Sequence, residues 1–442
     1  MSDEARRALP DEAAMQAAAS NPEAVWAQSV GLMGYVYGYP IVDMLKQMHN
    51  ETHRVRPDQP VAAPVNRIGL YPGVLTPATQ GQLRAPNADT LYLNGWFDLS
   101  LGPVLLDVPE MGDRYYTLTF MDHYSKPHHL GTRTNGGRAA HYALVGPSGG
   151  DVPEGHERFD LPTDINWLLG RVLVVDAADE AEARRLSEAI VVTGEAGSPV
   201  TDAEPMNPFD SLLYFKLLND GLKRLPRQPG EEALMAQLNA AGFGPDCDFD
   251  EAVLSEGQRL GLACAVKMGP QVITQRGFRP TQSTNGWLLS SVIADPGMDY
   301  LLRAEIVRGG YVNEPEESIY PAAISDSAGE PLSGDRAYRI HFARGTLPPC
   351  AAFWSITVYD MMTSQLTENA LRRYAIGDRT PGLVFAEDGS LDIWLSAGEP
   401  ASGVSNWLPL PPGRFHVVTR IYLPAPEALD GRYVLPPIER VE

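Results

Sequence analysis

Three of the nine histidines of this chain fall within seven residues, at His123, His128 and His129. Asp122 precedes them, so nitrogen and carboxylate ligands of the kind that zinc, iron or manganese accept are close in sequence. Pro127 bends the path between them, however, and the segment has no HxH or HExxH spacing. Acid–base chemistry is at least as consistent with the pattern, because imidazole is the side chain best matched to proton transfer near neutral pH. For each histidine taken singly, a loop residue hydrogen-bonded to the scaffold is the simpler interpretation.

The segment PNADTLY (residues 86–92) places a second polar cluster before a strand-like run. Asn87 and Thr90 are expected to shape the turn into that strand, because such side chains bind neighbouring backbone amides. Asp89 and Tyr92 are harder to explain this way, since a carboxylate beside a phenol can serve a small polar ligand as base and donor. The candidate catalytic residues are therefore His123, His128, His129, Asp89, Asp122, Tyr92 and Tyr124.

The glycine-flanked segment GTRTNG (residues 131–136) has the composition of a flexible anion cradle with one guanidinium. Arg133 could hold a substrate carboxylate or phosphate through a bidentate contact. The alternative is a hairpin turn in which Arg133 pairs with Asp122 or Asp89. In the C-terminal part, the pair at positions 406 and 407 could line a pocket between domains, where ligand sites are common. The candidate substrate-binding residues are Asn87, Arg133, Thr134, Asn406 and Trp407.

The chain of 442 residues is acidic, with a formal net charge of −21. Such a charge repels phosphate backbones and anionic lipid surfaces, so neither nucleic acid nor a membrane is expected as a partner. Its three cysteines show no CxxC or zinc-ligand spacing, which fits a reducing compartment. No secretory signal and no apolar run of membrane-spanning length is visible. The sequence therefore predicts a cytoplasmic protein.

Hydrophobic periodicity divides the chain into alternating helical and β-rich stretches. Helical spacing between residues 21 and 50 predicts a helix that breaks or kinks at Tyr39–Pro40. Short β runs punctuated by Gly and Pro follow, then helices, then β runs again. We predict an α+β, mainly β fold with two antiparallel β-sandwich-like (jelly-roll-like) domains, a helical connecting segment and a short N-terminal helical arm. The predicted boundaries are 1–60 for the arm, 61–200 for the first β domain, 201–325 for the connecting segment and 326–442 for the second β domain.

Several collinear motifs resemble a known bacterial family. The N-terminal half contains PNADTLY (86–92), GTRTNG (131–136) and NWLLGRVLVVD (166–176), and it resembles the domain of unknown function numbered 1254. The C-terminal half contains LPPCAAFWSITVYD (347–360), RRYAIGDRTPGL (372–383) and SNWLPLPPGRF (405–415), and it resembles the domain of unknown function numbered 1214. The resemblance implies two β-sandwich-like domains joined by a helical segment, often in oligomers, and it supplies no settled activity. Relatives tend to carry aromatic and small residues where this chain reads DHYSKPHH (122–129), so an activity peculiar to this protein is sought there.

The motifs of common cofactor and hydrolase folds do not occur. There is no GxGxxG after a strand and no GxSxG elbow, so hydride transfer and serine hydrolysis lose support. We predict an enzyme that uses general acid–base chemistry on a small polar or oxygenated organic molecule, by hydrolysis, elimination or isomerisation. It would use no cofactor or a single divalent metal, for which His123, His128 and His129 are the candidate ligands. The alternative is a non-catalytic small-molecule binding or oligomer-assembly protein, and a homo-oligomer is expected in either case.

Overall fold

The computed structural model describes residues 9–55, 61–81, 83, 85–275, 282–289, 296–309 and 313–441. These residues form two β domains and one helical domain, and the sheets are mostly antiparallel. This arrangement confirms the predicted α+β, mainly β fold class. Within the described residues, no helix combines the length and the apolar composition needed to cross a bilayer.

The first β domain consists of two sheets that enclose one apolar core. One sheet has the order β1-β2-β8-β4-β5, and the other has the order β7-β6-β3-β9. The strands are β1 (Arg67–Leu70), β2 (Thr90–Asp98), β3 (Val104–Val108), β4 (Tyr116–Met121), β5 (Pro127–Gly131), β6 (Ala140–Val145), β7 (Glu157–Asp160), β8 (Ile165–Leu173) and β9 (Val191–Thr193). Because successive side chains of a strand alternate between faces, Leu93 of β2 enters this core whereas Tyr92 and Asn94 face away from it.

The second β domain repeats this plan with a larger sheet. Strands β10, β11, β13, β19, β15 and β16 pair in that order, β12 pairs with β19, and a second sheet has the order β18-β17-β14-β20. The strands are β10 (Gln282–Thr284), β11 (Trp287–Leu289), β12 (Ser318–Ile319), β13 (Ala322–Ala323), β14 (Ala337–Phe342), β15 (Cys350–Asp360), β16 (Ala375–Gly377), β17 (Leu391–Ser396), β18 (Trp407–Pro409), β19 (Phe415–Pro424) and β20 (Ile438–Val441). Ile340, Ile356, Ile393 and Val417 lie in the core between the two sheets.

The helices before and between the β domains form one bundle around a common core. The α-helices of the described residues are α1 (Glu12–Ala19), α2 (Pro22–Thr52), α3 (Thr132–Asn135), α4 (Glu180–Glu188), α5 (Leu213–Arg224), α6 (Glu232–Ala240), α7 (Glu256–Gln275), α8 (Tyr300–Gly309) and α9 (Pro426–Leu429). Of these, α2 packs along α7 and also contacts α5, α6 and α8. The predicted N-terminal helical segment therefore packs against the helices that connect the two β domains.

Two details of the helical segments differ from the sequence-based expectation. Helix α2 continues through Pro40 and packs closely against other helices of the bundle. A Cβ atom added to Gly38 would lie 2.5 Å from Leu218, and one added to Gly31 would lie 2.9 Å from Leu262. In addition, β10 to β13 fall within the predicted connecting segment but pair into the second β domain. These strands have only two or three residues each, too few for a period-two pattern to be recognised.

The five-stranded sheet of the first β domain faces the large sheet of the second. Tyr115 and Leu173 of the first domain form an apolar cluster with Phe353 and Tyr422 of the second. A larger apolar cluster also combines side chains of both domains, among them Trp167. Polar and charged side chains lie between these clusters and form the candidate site.

Candidate active site

Arg171 of β8 extends from the middle of the five-stranded sheet into the interface between the β domains. Its only described hydrogen bond runs from Nη1 to the carbonyl of Leu169 at 3.4 Å, and its buried Nε has no partner. Among the described residues, no carboxylate pairs with this guanidinium, and 8% of its surface remains accessible. A buried charge without a counter-charge is costly, so the arrangement favours an anion as the partner of Arg171.

Phenols from both domains surround the guanidinium. The guanidinium carbon lies 5.4 Å from the centre of the Tyr92 ring, and Tyr115, Tyr320 and Tyr422 also interact with it. Burial raises the pKa of Tyr115 and Tyr422 well above the usual value and also raises the pKa of Tyr320. These three phenols stay protonated near neutral pH, so they can donate hydrogen bonds but cannot neutralise Arg171.

Asn87 orients two of these phenols. Its backbone N–H donates to the hydroxyl of Tyr92 at 3.1 Å, and its Nδ2 donates to the hydroxyl of Tyr422 at 3.2 Å. Each hydroxyl therefore accepts a hydrogen bond, and within the described part of the chain neither has an acceptor for its own proton. Together with Arg171, they are three buried donors directed to a common region. Oδ1 of Asn87 also accepts hydrogen bonds from the backbone N–H groups of Asp89 and Thr90, which confirms the predicted turn.

His129 is the predicted histidine that lies on this face of the sheet. Its Nδ1 is 3.2 Å from the hydroxyls of Thr117 and Thr119. Thr119 donates its own proton to Oδ1 of Asn313 at 3.4 Å, so its oxygen accepts from Nδ1–H of His129. This assignment leaves the lone pair on Nε2, which is buried and has no partner. Burial, reinforced by the charges of Arg133 and Arg171, lowers the pKa of His129 to about 3, so the imidazole is neutral at pH 7.

Glu317 connects this imidazole to both β domains. Its carboxylate is buried and lies 4.0 Å from Nδ1 of His129. It accepts hydrogen bonds from the hydroxyl of Tyr115 at 2.6 Å and from Nε of Arg133 at 2.8 Å. Arg133 also donates to Glu314 at 2.8 Å, so its charge is already balanced by protein carboxylates. Arg133 is therefore paired with protein carboxylates rather than left free to hold a substrate anion.

Asp89 pairs with the second β domain rather than with an imidazole. Its Oδ2 accepts from the hydroxyl of Ser355 at 2.7 Å, and its Oδ1 accepts from Nη2 of Arg379 at 2.8 Å. This buried ion pair joins the domains beside the phenols. Asp89 is thus a structural neighbour of the site, not the predicted base.

The remaining predicted histidines do not converge with His129. His128 follows the strand alternation to the opposite face of β5, and its Nε2 lies 3.2 Å from Oδ2 of Asp122. Asp122 also accepts from the backbone of the turn that follows it. His123 is fully buried, neither ring nitrogen has a partner, and burial lowers its pKa to about 4. Among the described residues, the three histidines do not bring ligand atoms within 4.8 Å of one another, so they do not form the predicted metal site.

Tyr124 lines a different cavity. This cavity, of about 250 Å³, lies mainly in the helical domain, and Tyr37 and Glu231 also line it. The hydroxyl of Tyr37 donates to Oε2 of Glu231 at 2.7 Å, and burial raises the pKa of Tyr124 to about 12. A larger open groove of about 470 Å³ lies on the second β domain and contains none of the predicted residues.

The other predicted binding residues have local structural roles. Thr134 bonds to the backbone of Gly131 in the short helix α3, so the segment is a helical turn and not an open cradle. Asn406 makes two hydrogen bonds to the backbone of Val384. Trp407 donates from Nε1 to a carbonyl of β17. Both lie at the edge of the second β domain, away from the domain interface.

Sequence reasoning missed several residues of the site. The signal for Arg171 is a single charge within the buried run INWLLGRVL, since a charged residue in such a strand is rare unless it is paired. Glu51, at the end of α2, accepts from Trp96 Nε1 at 2.8 Å and Asn94 Nδ2 at 3.0 Å on the same face of the sheet. Burial raises the pKa of Glu51 to about 7, although these two donors lower it in part. Nothing local in the sequence indicates this contact.

The two β domains correspond to two family models. Residues 65–194 match the family described as "Protein of unknown function (DUF1254)", and residues 317–426 match "Protein of unknown function (DUF1214)". The chain therefore belongs to the proteins that combine these two domains, as the sequence motifs predicted. The described site uses both matched regions, since His129 and Arg171 lie in the first and Glu317 and Tyr422 in the second. No curated protein matches the chain.

Two solved structures are similar to this chain. The VPA0106 protein from Vibrio parahaemolyticus is 22% identical, with a TM-score of 0.70 over 94% of this chain and 100% of its own. A putative uncharacterized protein from Burkholderia cenocepacia is 14% identical, with a TM-score of 0.46 over 94% of each chain. The first likeness supports the fold alone.

Proposed function

We propose that the protein is an enzyme that binds a small organic anion between its two β domains and moves a proton by general acid–base chemistry. The observation that carries this proposal is a set of three buried donor side chains beside a neutral imidazole. Among the described residues, the hydroxyls of Tyr92 and Tyr422 have no acceptor for their protons, and Arg171 has one long hydrogen bond to a carbonyl and an unpartnered Nε. Donors fixed in a site of low dielectric are suited to a carboxylate or to an oxyanion that develops during reaction.

Each group has a distinct role in this proposal. Arg171 holds the anionic group, and Tyr92 and Tyr422 donate hydrogen bonds to it or to an adjacent oxygen. Nε2 of His129 accepts the proton, while the hydroxyl of Thr119 accepts from Nδ1–H and the carboxylate of Glu317 lies 4.0 Å from Nδ1. Because the charge of Arg171 lowers the pKa of His129, a bound anion would raise that pKa and strengthen the base. Elimination and isomerisation beside a carbonyl use these parts directly, and hydrolysis would use the same base on a water molecule.

A non-catalytic binding protein is the second candidate function. It is favoured by the buried pairs Asp89–Arg379 and Glu317–Arg133, which hold the surroundings of the site together. Such a protein would need Arg171 and the phenols, but it would not need a base. The role of His129 therefore separates the two candidates.

The test is a comparison of ligand binding and turnover in two variants. A panel of small carboxylates is screened against the wild-type protein by thermal shift and by isothermal titration calorimetry. We expect Arg171→Met to weaken binding by about 10- to 100-fold, the value of one or two charge-assisted hydrogen bonds. We expect His129→Gln to retain binding and to lower turnover by about 10²- to 10⁴-fold.

Two outcomes count against the proposal. If Arg171→Met binds every carboxylate as the wild type does, the site is not the binding site. If wild type and His129→Gln bind a carboxylate equally and neither changes it chemically, the binding protein is the better description. We further propose, from the sequence, a cytoplasmic homo-oligomer with no nucleic acid or membrane partner, which analytical ultracentrifugation and cell fractionation would test.

A further inference from the structure

Three metal-ligating side chains form a row on the outer face of the second sheet of the first β domain. Asp107 of β3 is the direct cross-strand partner of His141 of β6. Strand β7 runs parallel to β6, with Tyr142 opposite Glu157, so His156 just before β7 lies beside His141. Rigid strands therefore position all three side chains. This sheet is on the far side of the apolar core from the domain interface, and the row is independent of the proposed active site.

The three ligand atoms are close to the spacing of a metal site. Nδ1 of His141 is 2.6 Å from Oδ1 of Asp107, and Nε2 of His156 is 3.9 Å from the same oxygen. All three ligand atoms lie within 4.8 Å of one another. Tetrahedral zinc with bonds of about 2.0–2.1 Å separates its ligand atoms by roughly 3.3 Å, so each of the two measured distances needs to change by less than about 0.8 Å.

We propose that Asp107, His141 and His156 bind a divalent transition-metal ion, with Zn²⁺ as the expected species. Two imidazoles and one carboxylate suit zinc, whereas magnesium and calcium prefer oxygen ligands alone. Three protein ligands leave a coordination position for water or another small ligand. The side chain of His141 is 62% exposed and that of Asp107 is 40% exposed, so an ion can enter from solution without any opening of the fold. The negative charge of the protein attracts cations to this face.

The chain contains a matched pair that lacks the third ligand. On the second β domain, His341 and Asp392 are cross-strand partners on β14 and β17, and Nδ1 to Oδ1 is also 2.6 Å. Among the described residues, no further His, Cys, Asp or Glu completes that pair into a group of three ligands. Among the described residues, a 2.6 Å contact between a histidine and an aspartate on a sheet surface therefore occurs twice, and His156 is what distinguishes the first example.

In the experiment, the full chain is first freed of metal with a chelator. It is then titrated with Zn²⁺, followed by isothermal titration calorimetry, and separately with Co²⁺, followed by visible absorption. The single variants are Asp107→Asn, His141→Ala and His156→Ala, and the matched controls are His341→Ala and Asp392→Asn. We expect the wild type to bind one Zn²⁺ in this row and each row variant to weaken that binding at least about tenfold.

The outcomes decide the proposal in either direction. Equal loss in the two control variants, or undiminished binding in His141→Ala and His156→Ala, would overturn it, as would a wild type that binds no stoichiometric Zn²⁺. Circular dichroism of every variant shows whether the fold is retained. If His156→Ala fails to fold, it is replaced by His156→Gln, which keeps the approximate size and polarity of the side chain but removes the ligand nitrogen.

Discussion

Replacing Arg171 with methionine is expected to stabilise the protein without ligand while it removes anion binding. Methionine approximates the length of the aliphatic part of the arginine and is compatible with a buried strand position. Methionine is uncharged, whereas the guanidinium of Arg171 has no carboxylate partner among the described residues of the interface. A purely structural arginine would behave in the opposite way, because its removal would break contacts that hold the domains together.

The magnitude follows from the contacts of this side chain. The substitution loses one long hydrogen bond of 3.4 Å and the contact with the Tyr92 ring at 5.4 Å. Together these losses cost roughly 1–2 kcal/mol. The substitution also removes the cost of keeping a buried ion out of water, which is several kcal/mol per ion. We therefore expect a net gain of about 1–3 kcal/mol in the free energy of unfolding. This corresponds to roughly 1–3 °C in Tm if the whole chain melts together, and to roughly 4–11 °C if the first β domain melts alone.

Arg420→Met is the matched control, because Arg420 is the second buried arginine of the interface. Its guanidinium donates to the hydroxyls of Thr357 at 3.0 Å and Tyr359 at 2.6 Å, and also to the carbonyl of Ala85. Its removal also spares the fold a buried ion, but it breaks three hydrogen bonds and leaves their acceptors unpaired, so we expect a net loss of about 1–3 kcal/mol. Differential scanning calorimetry measures both variants. If Arg171→Met lowers Tm as Arg420→Met does, Arg171 is a structural residue and the reasoning from its unbalanced charge is refuted.

Three further predictions concern other buried ionisable groups. Burial lowers the pKa of His123 to about 4, so the neutral imidazole stabilises the fold above pH 6.5 and this contribution is lost at about 1.4 kcal/mol per pH unit between pH 6.5 and 4. His123→Leu should therefore flatten the pH dependence of the free energy of unfolding over this range, measured by chemical denaturation. An unchanged slope would contradict this. Burial raises the pKa of Glu51 to about 7, so ionisation of Glu51 destabilises the fold progressively from about pH 4.5 to pH 7. In Glu51→Gln the fall in Tm over this range should disappear. If the fall in Tm persists, another group causes it. Arg379→Met leaves Asp89 buried with Ser355 as its side-chain partner, so we expect the free energy of unfolding to fall by about 3–5 kcal/mol. The single calorimetric transition should also separate into two. A single transition at the wild-type Tm would show that this ion pair does not couple the domains.

Much of the fold follows from local patterns in the sequence. The turn at Asn87 and the strand that it precedes were predictable, because an asparagine side chain binds the backbone two and three residues later. The course of α2 through Pro40 was not, since it depends on glycines that allow distant helices to approach closely. The two-residue strands β12 and β13 were also not predictable, because they are defined only by pairing with distant strands, β12 with β19 and β13 with both β11 and β19.

The candidate site could be predicted only in part. Tyr92 and His129 were recognised because they stand in short polar segments beside strong strands. Arg171, Glu317 and Tyr422 were not, because each stands in a segment with an ordinary structural explanation and acquires its partners only when the two sheets face each other. For the same reason His123 and His128 were grouped with His129 by their spacing, although burial and strand alternation direct the three rings to different places.

The contact of Glu317 with Tyr115, Arg133 and His129 has a consequence for the history of these proteins. Three of these residues belong to one matched family region and Glu317 belongs to the other, so neither region could change alone at this contact without leaving a charge buried against an incompatible neighbour. Selection would then act on the two regions as a single heritable unit, and compensating substitutions are expected to appear in pairs across the boundary between them.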